Sequence, residues 1–262
     1  MGTKWEKLFR ELSENDRPSD WEACVHAPAS GEASAAVAAP VVIPPALSIA
    51  LEEIWTNILL NSGKKPGTLF IGGARGGEGA TFISRYLSLF LARESSLRVL
   101  YIDADPLNRA SLFRISEHAD KRGLSAFLLE DESLSYLAIE TEVERLHMLP
   151  PGDRDAGRLA EILLSRPELQ EEFLSFCESN YDLAIFDSLP LLSTPIMAGV
   201  ARLAEAVVLV CRAAHTKRET IHSVIGRLEK SGARITGMVL NGRTFPVPVH
   251  IPNFLKSGEP RV

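Results

Sequence analysis

Cysteine, basic charge and long apolar runs are all scarce in this sequence. Its three cysteines, Cys24, Cys177 and Cys211, stand far apart in 262 residues, so they form neither a metal-binding motif nor a disulfide framework. Lys and Arg number 28 against 34 Asp and Glu, which argues against nucleic acid as a partner. No apolar run approaches the roughly 18 residues of a membrane-spanning helix. We therefore expect a protein of the reducing cytoplasm.

What is present supports one substantial α/β domain, because 45% of the residues are hydrophobic and 24% are charged. Residues 1–46 are interpreted as an amphipathic segment, Trp5 to Leu12, followed by an Ala/Pro-rich linker. The amphipathic segment either docks on the protein's own body, or frays, or binds a partner. Residues 47–245 form the predicted domain, and residues 246–262 a Pro-rich tail.

Apolar strands alternate with amphipathic helices along the predicted domain. Strands are expected near 68–72, 98–103, 145–149, 182–187, 206–211 and 234–240, and the main helices near 48–61, 82–93, 158–164, 167–178, 194–202 and 217–230. This alternation predicts a mostly parallel twisted sheet with helices on both faces. Ligands of such sheets lie beyond the carboxyl ends of the strands.

The strand Thr68–Gly72 runs directly into a glycine-rich turn and then a helix, which is the setting of a phosphate-binding loop. Glycines let the backbone curl around an anion, and the following helix adds its positive N-terminal end. Such loops usually end in Gly-Lys-Ser/Thr. Here the end is Gly79-Ala80-Thr81, so the lysine that reaches the β- and γ-phosphates is replaced by an alanine.

Acidic residues follow two of the predicted strands at this same edge of the sheet. Asp103 and Asp105 follow one, and Asp187 ends another. A Mg²⁺ ion that bridges nucleotide phosphates needs one or two carboxylates and a hydroxyl. Asp103, Asp187 and Thr81 are the candidates for that set, although each aspartate alone could equally cap a helix or a turn.

Five stretches in order resemble the cytoplasmic domains of bacterial tyrosine kinases, which belong with the deviant P-loop ATPases of the MinD/ParA type. The stretches are 76–81, 99–105, 181–187, 207–212 and 237–241, and the resemblance covers about residues 47–245. It implies an ATP and Mg²⁺ site in a P-loop fold. The nucleotide-binding residues that it implies are Arg75, Gly76, Gly77, Glu78, Gly79, Ala80, Thr81 and Asn241, with Asn241 near the adenine. The metal set would be Thr81, Asp103 and Asp187, and the catalytic acids Asp103 and Asp105.

Several positions depart from the family pattern. Ala80 replaces the Walker lysine, and Arg75 stands where the MinD/ParA branch has its signature lysine; arginine binds phosphate through a planar fork. Glu52 and Trp55 occupy the positions of the two arginines that assemble the kinase ring. The kinases also phosphorylate a C-terminal tyrosine cluster, whereas here no tyrosine follows Tyr181. We therefore expect ATP/ADP and Mg²⁺ binding to be weakened.

These departures lead to one functional hypothesis and two alternatives. The hypothesis is a catalytically degenerate relative of the kinases that regulates or scaffolds exopolysaccharide or capsule synthesis. It would be cytoplasmic and recruited to the inner membrane by a polysaccharide co-polymerase, and it could form a homo-oligomer. The first alternative is an active or slow ATPase or tyrosine kinase that uses Arg75. The second is a MinD/ParA-like positioning switch that dimerises with ATP.

Overall fold

A computed structural model describes residues 42–104, 122–152 and 155–242. Asp105, most of the predicted N-terminal segment and the Pro-rich tail lie outside these residues, as does the short helix expected near Ala110 to Ile115. By contacts the chain divides into two units, and residues 36–241 form the unit described below. The other unit, residues 1–35 and 242–262, contributes only Gly242 to the described part.

The strands of the described residues form one seven-stranded sheet. They are β1 (Thr68–Gly73), β2 (Val99–Asp103), β3 (Ile139–Glu140), β4 (Leu146–Leu149), β5 (Leu183–Asp187), β6 (Ala206–Arg212) and β7 (Ile235–Asn241). Their order across the sheet is β3-β4-β2-β5-β1-β6-β7. Every pairing is parallel except that of β3 with β4. The mostly parallel sheet is therefore confirmed, and β1 lies between β5 and β6.

One helix of the described residues precedes the first strand, and the others lie in the connections between strands. They are α1 (Pro45–Ser62), α2 (Ala80–Glu94), α3 (Leu124–Glu130), α4 (Leu134–Leu137), α5 (Ala156–Ser165), α6 (Pro167–Asn180), α7 (Met197–Ala201) and α8 (Arg218–Ser231). Most bounds agree with the sequence predictions to within a few residues. The helix expected at 194–202 is shorter, because only Met197–Ala201 is helical after a run of turns.

Both faces of the sheet are covered by helices, as the near-continuous apolar strands predict. Every residue of β1, β2 and β5 is buried. Side chains alternate between the two faces of a strand. Leu69 and Ile71 of β1 therefore pack in one core cluster with Leu51 of α1 and Leu87 of α2. On the opposite face, the ring of Phe186 packs against that of Phe173 in α6, with centroids 5.6 Å apart.

Helix α1 is attached to the domain through one apolar face. Leu51, Trp55 and Ile58 are buried, at the i, i+4, i+7 spacing of a single helical stripe. The helix ends at Gly63, whose φ of 74° lies in the left-handed region that closes helices without steric cost. Trp55 is thus a core residue and cannot serve as a surface contact, whereas Glu52 is exposed.

Among the described residues, none of the helices is both long enough and apolar enough to cross a membrane.

Candidate functional site

The glycine-rich loop joins the end of β1 to the start of α2, at the carboxyl edge of the sheet. Gly77 and Gly79 have φ values of 82° and 93°, a left-handed conformation that non-glycine residues adopt only at a cost. A Cβ atom on Gly79 would also lie 2.1 Å from Asn241 Nδ2. Backbone curvature of this kind, followed by a helix N-terminus, produces a concave anion-binding cradle.

Glu78 holds the loop together from within. Its side chain is only 1% exposed, and Oε2 accepts the backbone N–H of Arg75 at 2.9 Å. Its Oε1 accepts the hydroxyl of Thr216 at 2.6 Å, and the same hydroxyl oxygen accepts the backbone N–H of Arg212 at 2.9 Å. The Glu78 carboxylate therefore links the loop to the turn after β6, and both of its oxygens accept hydrogen bonds from protein groups.

Asn241, at the end of β7, also contacts the loop. Its side-chain amide donates to the backbone carbonyl of Glu78 at 2.9 Å. The structure thus places Asn241 beside the phosphate-binding loop, and its expected position near an adenine stays a prediction.

The loop has one cationic side chain, Arg75, and no lysine at position 80. Ala80 is the first residue of α2 and presents only a methyl group. The side chain of Arg75 is exposed and makes no ion pair within the described part of the chain. Thr81 follows in the first turn of α2 and is half-buried. The loop therefore keeps its shape and its hydroxyl but lacks the lysine.

Asp103 and Asp187 lie side by side at the ends of β2 and β5, where they are register partners. Both are almost fully buried, with exposures of 2% and 1%. Neighbouring strands are about 4.8 Å apart, so these two carboxylates share one small region at the sheet edge. The structure brings together the two acids that the sequence predicted; Asp105 falls outside the described residues.

A buried arginine and a buried tyrosine, which the sequence analysis did not single out, connect the two acids. Arg85 of α2 donates from Nη2 to Asp103 Oδ2 at 3.2 Å and from Nε to the hydroxyl oxygen of Tyr101 at 3.1 Å. The Tyr101 hydroxyl in turn donates to Asp187 Oδ2 at 2.7 Å. We call these four side chains the Arg85 network. The sequence contained one indication that Arg85 belongs to the site: it lies one helical turn after Thr81, so both residues face the same edge of the sheet.

Burial and charge shape the titration of this network. Burial raises the pKa of Asp187 above its ordinary value, although hydrogen bonding from Tyr101 works in the opposite direction. Burial also raises the pKa of Tyr101 well above its usual range, and the negative charge of Asp187 adds to this. For Arg85, burial would lower the pKa, but contacts with Tyr101 and the two acids outweigh it and the pKa is raised. Arg85 is therefore a cation and Tyr101 a neutral donor at neutral pH.

The oxygens expected to bind Mg²⁺ are only partly available. Asp187 Oδ1 is buried and makes no hydrogen bond of standard geometry within the described residues, although Thr81 and Ser84 are close enough to lower its pKa. Asp187 Oδ1 and the Thr81 hydroxyl thus fit a metal that is completed by phosphate oxygens and water. Asp103 fits less well, because its Oδ2 is held in an ion pair with Arg85.

Strand, glycine-rich loop and helix, with acids at the ends of adjacent parallel strands, define a P-loop nucleotide-binding fold in which alanine occupies the lysine position. A family model described as an AAA domain matches residues 68–235, and the chain belongs to this family. The chain is similar to the tyrosine-protein kinase CpsD of Streptococcus agalactiae, with 29% identity over 188 residues that cover 72% of this chain and 80% of that protein. It is thus related to bacterial tyrosine kinases.

Solved structures agree with this relationship. The kinase domain of the Escherichia coli tyrosine kinase ETK is similar at a TM-score of 0.66 and 26% identity, over 75% of each chain. Cobyrinic acid a,c-diamide synthase from Mycobacterium smegmatis, solved with an ATP analogue and magnesium, has a TM-score of 0.54 at 17% identity, over 66% of this chain and 71% of that one. This second likeness is one of fold alone.

Proposed function

We propose that this protein is a catalytically degenerate relative of the bacterial tyrosine kinases. It would regulate or scaffold exopolysaccharide or capsule synthesis through a membrane-bound polysaccharide co-polymerase, to which it is recruited from the cytoplasm. The observation that carries the proposal is Ala80, a methyl group at the lysine position of an otherwise well-formed phosphate-binding loop.

The lost lysine should affect catalysis more than binding. A charge-assisted hydrogen bond contributes roughly 1.5–3 kcal/mol, so its loss weakens nucleotide binding by about 10- to 100-fold. Phosphoryl transfer depends almost wholly on positioning and on neutralising the charge that develops on the phosphate. ATP or ADP with Mg²⁺ would therefore bind weakly, with Thr81 and Asp187 as the metal ligands, and turnover would be negligible.

The tyrosines of the chain support a role other than autophosphorylation. Tyr101 is fully buried, Tyr86 packs on Phe82 with ring centroids 4.6 Å apart, and Tyr181 is held by His147 through a 2.9 Å hydrogen bond. Tyr136 is 89% exposed, but it is one isolated tyrosine and not part of a cluster. No cluster of tyrosines resembles the C-terminal tail that the kinases phosphorylate.

Two measurements on the purified full chain test the enzymatic part. Calorimetric titration with Mg-ATP and Mg-ADP is compared between the natural protein and Ala80→Lys, and phosphotyrosine is quantified after incubation with ATP. We expect little or no heat from the natural protein, binding restored in Ala80→Lys, and no phosphotyrosine in the natural protein. Stoichiometric ATP-dependent phosphorylation of the natural protein would overturn the proposal.

The scaffold role is tested in the source bacterium. Deletion of the gene should change the amount or chain length of a surface polysaccharide, and the natural gene should restore it. A variant with Asp187→Asn should restore it equally well, because scaffolding does not need phosphoryl transfer. If complementation fails only for Asp187→Asn while that protein remains folded and abundant, the site is active and the scaffold reading is wrong.

Arg75 supports a second candidate, an ATPase or kinase that acts on another protein. Its exposed guanidinium stands at the loop without an ion pair in the described part of the chain, and guanidinium binds phosphate in a bidentate manner. This candidate predicts ATP turnover that is lost in Arg75→Ala and retained in Arg93→Ala, an exposed arginine of the same domain. If turnover is instead absent but Mg-ATP shifts the protein from monomer to dimer, a MinD/ParA-like switch is favoured.

A further inference from the structure

The Arg85 network places a protein cation beside the two acids that were predicted to bind Mg²⁺. Arg85 has an 8% exposed side chain and lies 3.2 Å from an Asp103 side chain that is 3% exposed. Through the hydroxyl of Tyr101 its polarising effect extends to Asp187. A single guanidinium therefore serves both acids at the end of the sheet.

We propose that Arg85 is the resident cation of this acidic site, taking the electrostatic place of a divalent ion, so that the two acids do not take up Mg²⁺ or Mn²⁺ unless nucleotide phosphates complete the site. Arg85 is thereby a specificity-determining residue that keeps the two acids free of metal when no nucleotide is bound. The inference goes beyond the proposed scaffold role and does not depend on it, since it concerns only the charge balance of the site.

Charge counting explains why a cation is needed at this position. Two buried carboxylates on adjacent strands repel each other, and such pairs either retain a proton or recruit a cation. Two ionised aspartates without Arg85 would carry a charge of −2, which matches a divalent ion. With Arg85 the charge is −1, and a divalent ion would have to approach a buried guanidinium in a region of low dielectric, where like charges repel strongly.

The hydrogen bonds to the two carboxylates also disfavour a divalent ion. Asp103 Oδ2 and Asp187 Oδ2 both accept hydrogen bonds from the network, and these bonds orient the carboxylates toward protein donors. Mg²⁺ requires near-ideal octahedral geometry and gives up its water reluctantly. Asp187 Oδ1 is buried and has no hydrogen bond of standard geometry in the described residues, but one carboxylate oxygen with a threonine hydroxyl is a weak metal-binding set without phosphate.

The experiment titrates the purified full chain with Mn²⁺ alone and measures free Mn²⁺ by electron paramagnetic resonance. We expect no binding to the natural protein below millimolar Mn²⁺ and at least tenfold tighter binding to Arg85→Met. Arg93→Met, an exposed arginine of the same helix, is the matched control and should behave as the natural protein. Because this assay contains no nucleotide and measures no activity, its outcome is separate from that of the scaffold tests.

Two more variants keep the test decisive if Arg85→Met does not fold. Arg85→Lys keeps the charge and should still exclude Mn²⁺. Tyr101→Phe keeps the ring, breaks the link to Asp187, and should gain Mn²⁺ affinity. Submillimolar binding of Mn²⁺ to the natural protein would overturn the proposal, as would the absence of any gain in every folded variant that lacks Arg85 or the Tyr101 hydroxyl.

Discussion

The hydrogen bond between Thr216 and Glu78 offers a direct test of how the phosphate-binding loop is held. Thr216→Val keeps the shape of the side chain but removes its hydroxyl. The buried Glu78 carboxylate then loses the donor at 2.6 Å, and the backbone N–H of Arg212 loses the acceptor at 2.9 Å. A hydrogen bond to a charged group contributes roughly 1.5–3 kcal/mol, and leaving the partly buried N–H of Arg212 without its acceptor adds to the loss. We expect the free energy of unfolding to fall by about 2–4 kcal/mol.

Urea denaturation followed by circular dichroism measures this change, and Thr216→Ser is the control because it keeps the hydroxyl. The double variant Thr216→Val with Glu78→Gln should lose less than the sum of the two single changes, since both break one interaction. A loss below about 0.5 kcal/mol, the usual limit for surface substitutions, would refute the reasoning. So would strict additivity of the two changes.

Three further predictions address other parts of the chain. An active tyrosine kinase supplied with ATP should phosphorylate the folded protein at Tyr136, which is 89% exposed. Mass spectrometry locates the phosphate, and phosphorylation that persists in Tyr136→Phe would contradict this prediction. Burial lowers the pKa of His147, so the unfolded chain binds that proton more tightly and stability is lost as pH falls below about 6.5. Between about pH 7.5 and about pH 5.5, the natural protein should therefore lose more stability than His147→Gln in chemical denaturation, and equal losses would contradict the assignment. In thermal melts, Gly79→Ala should destabilise the protein by at least about 1 kcal/mol, because Gly79 has a positive φ and the new methyl group would meet Asn241. The control is Gly226→Ala, at a helical position with open space, which should be neutral or stabilising.

Local signals explain why the framework was predictable from the sequence. The strand Thr68–Gly73 is apolar from Leu69 to Ile71 and ends in glycines. The register that sets Asp103 beside Asp187 follows from parallel strands that both end in an aspartate. Hydrophobic periodicity also located α1 to within a few residues. The short antiparallel β3 was not predicted, because two residues, Ile139 and Glu140, carry no periodicity.

The contacts that define the chemistry of the site could not be predicted in the same way. Glu78 and Thr216 are 138 residues apart, and nothing in either local pattern indicates the other. Glu78 was expected to line the nucleotide site, which stays a prediction; the hydrogen bonds that its carboxylate accepts from Arg75 and Thr216 were not foreseen. Trp55 was compared with a surface position of the kinases, yet it packs in the core. Such pairings depend on the crossover connections, which a single sequence does not specify.

Ala80 and Arg85 together determine where positive charge lies in the site. A lysine at position 80 would place its charge on the ligand side of the loop, where a phosphate could use it. Arg85, five residues later in the same helix, places its charge on the protein side, where Asp103 already uses it. Breaking a buried ion pair by removing one partner costs about 3–5 kcal/mol, a large part of the roughly 5–15 kcal/mol that stabilises a domain. Removing the Arg85 cation would therefore leave the buried Asp103 without its ion pair, and this cost does not depend on whether a nucleotide is bound.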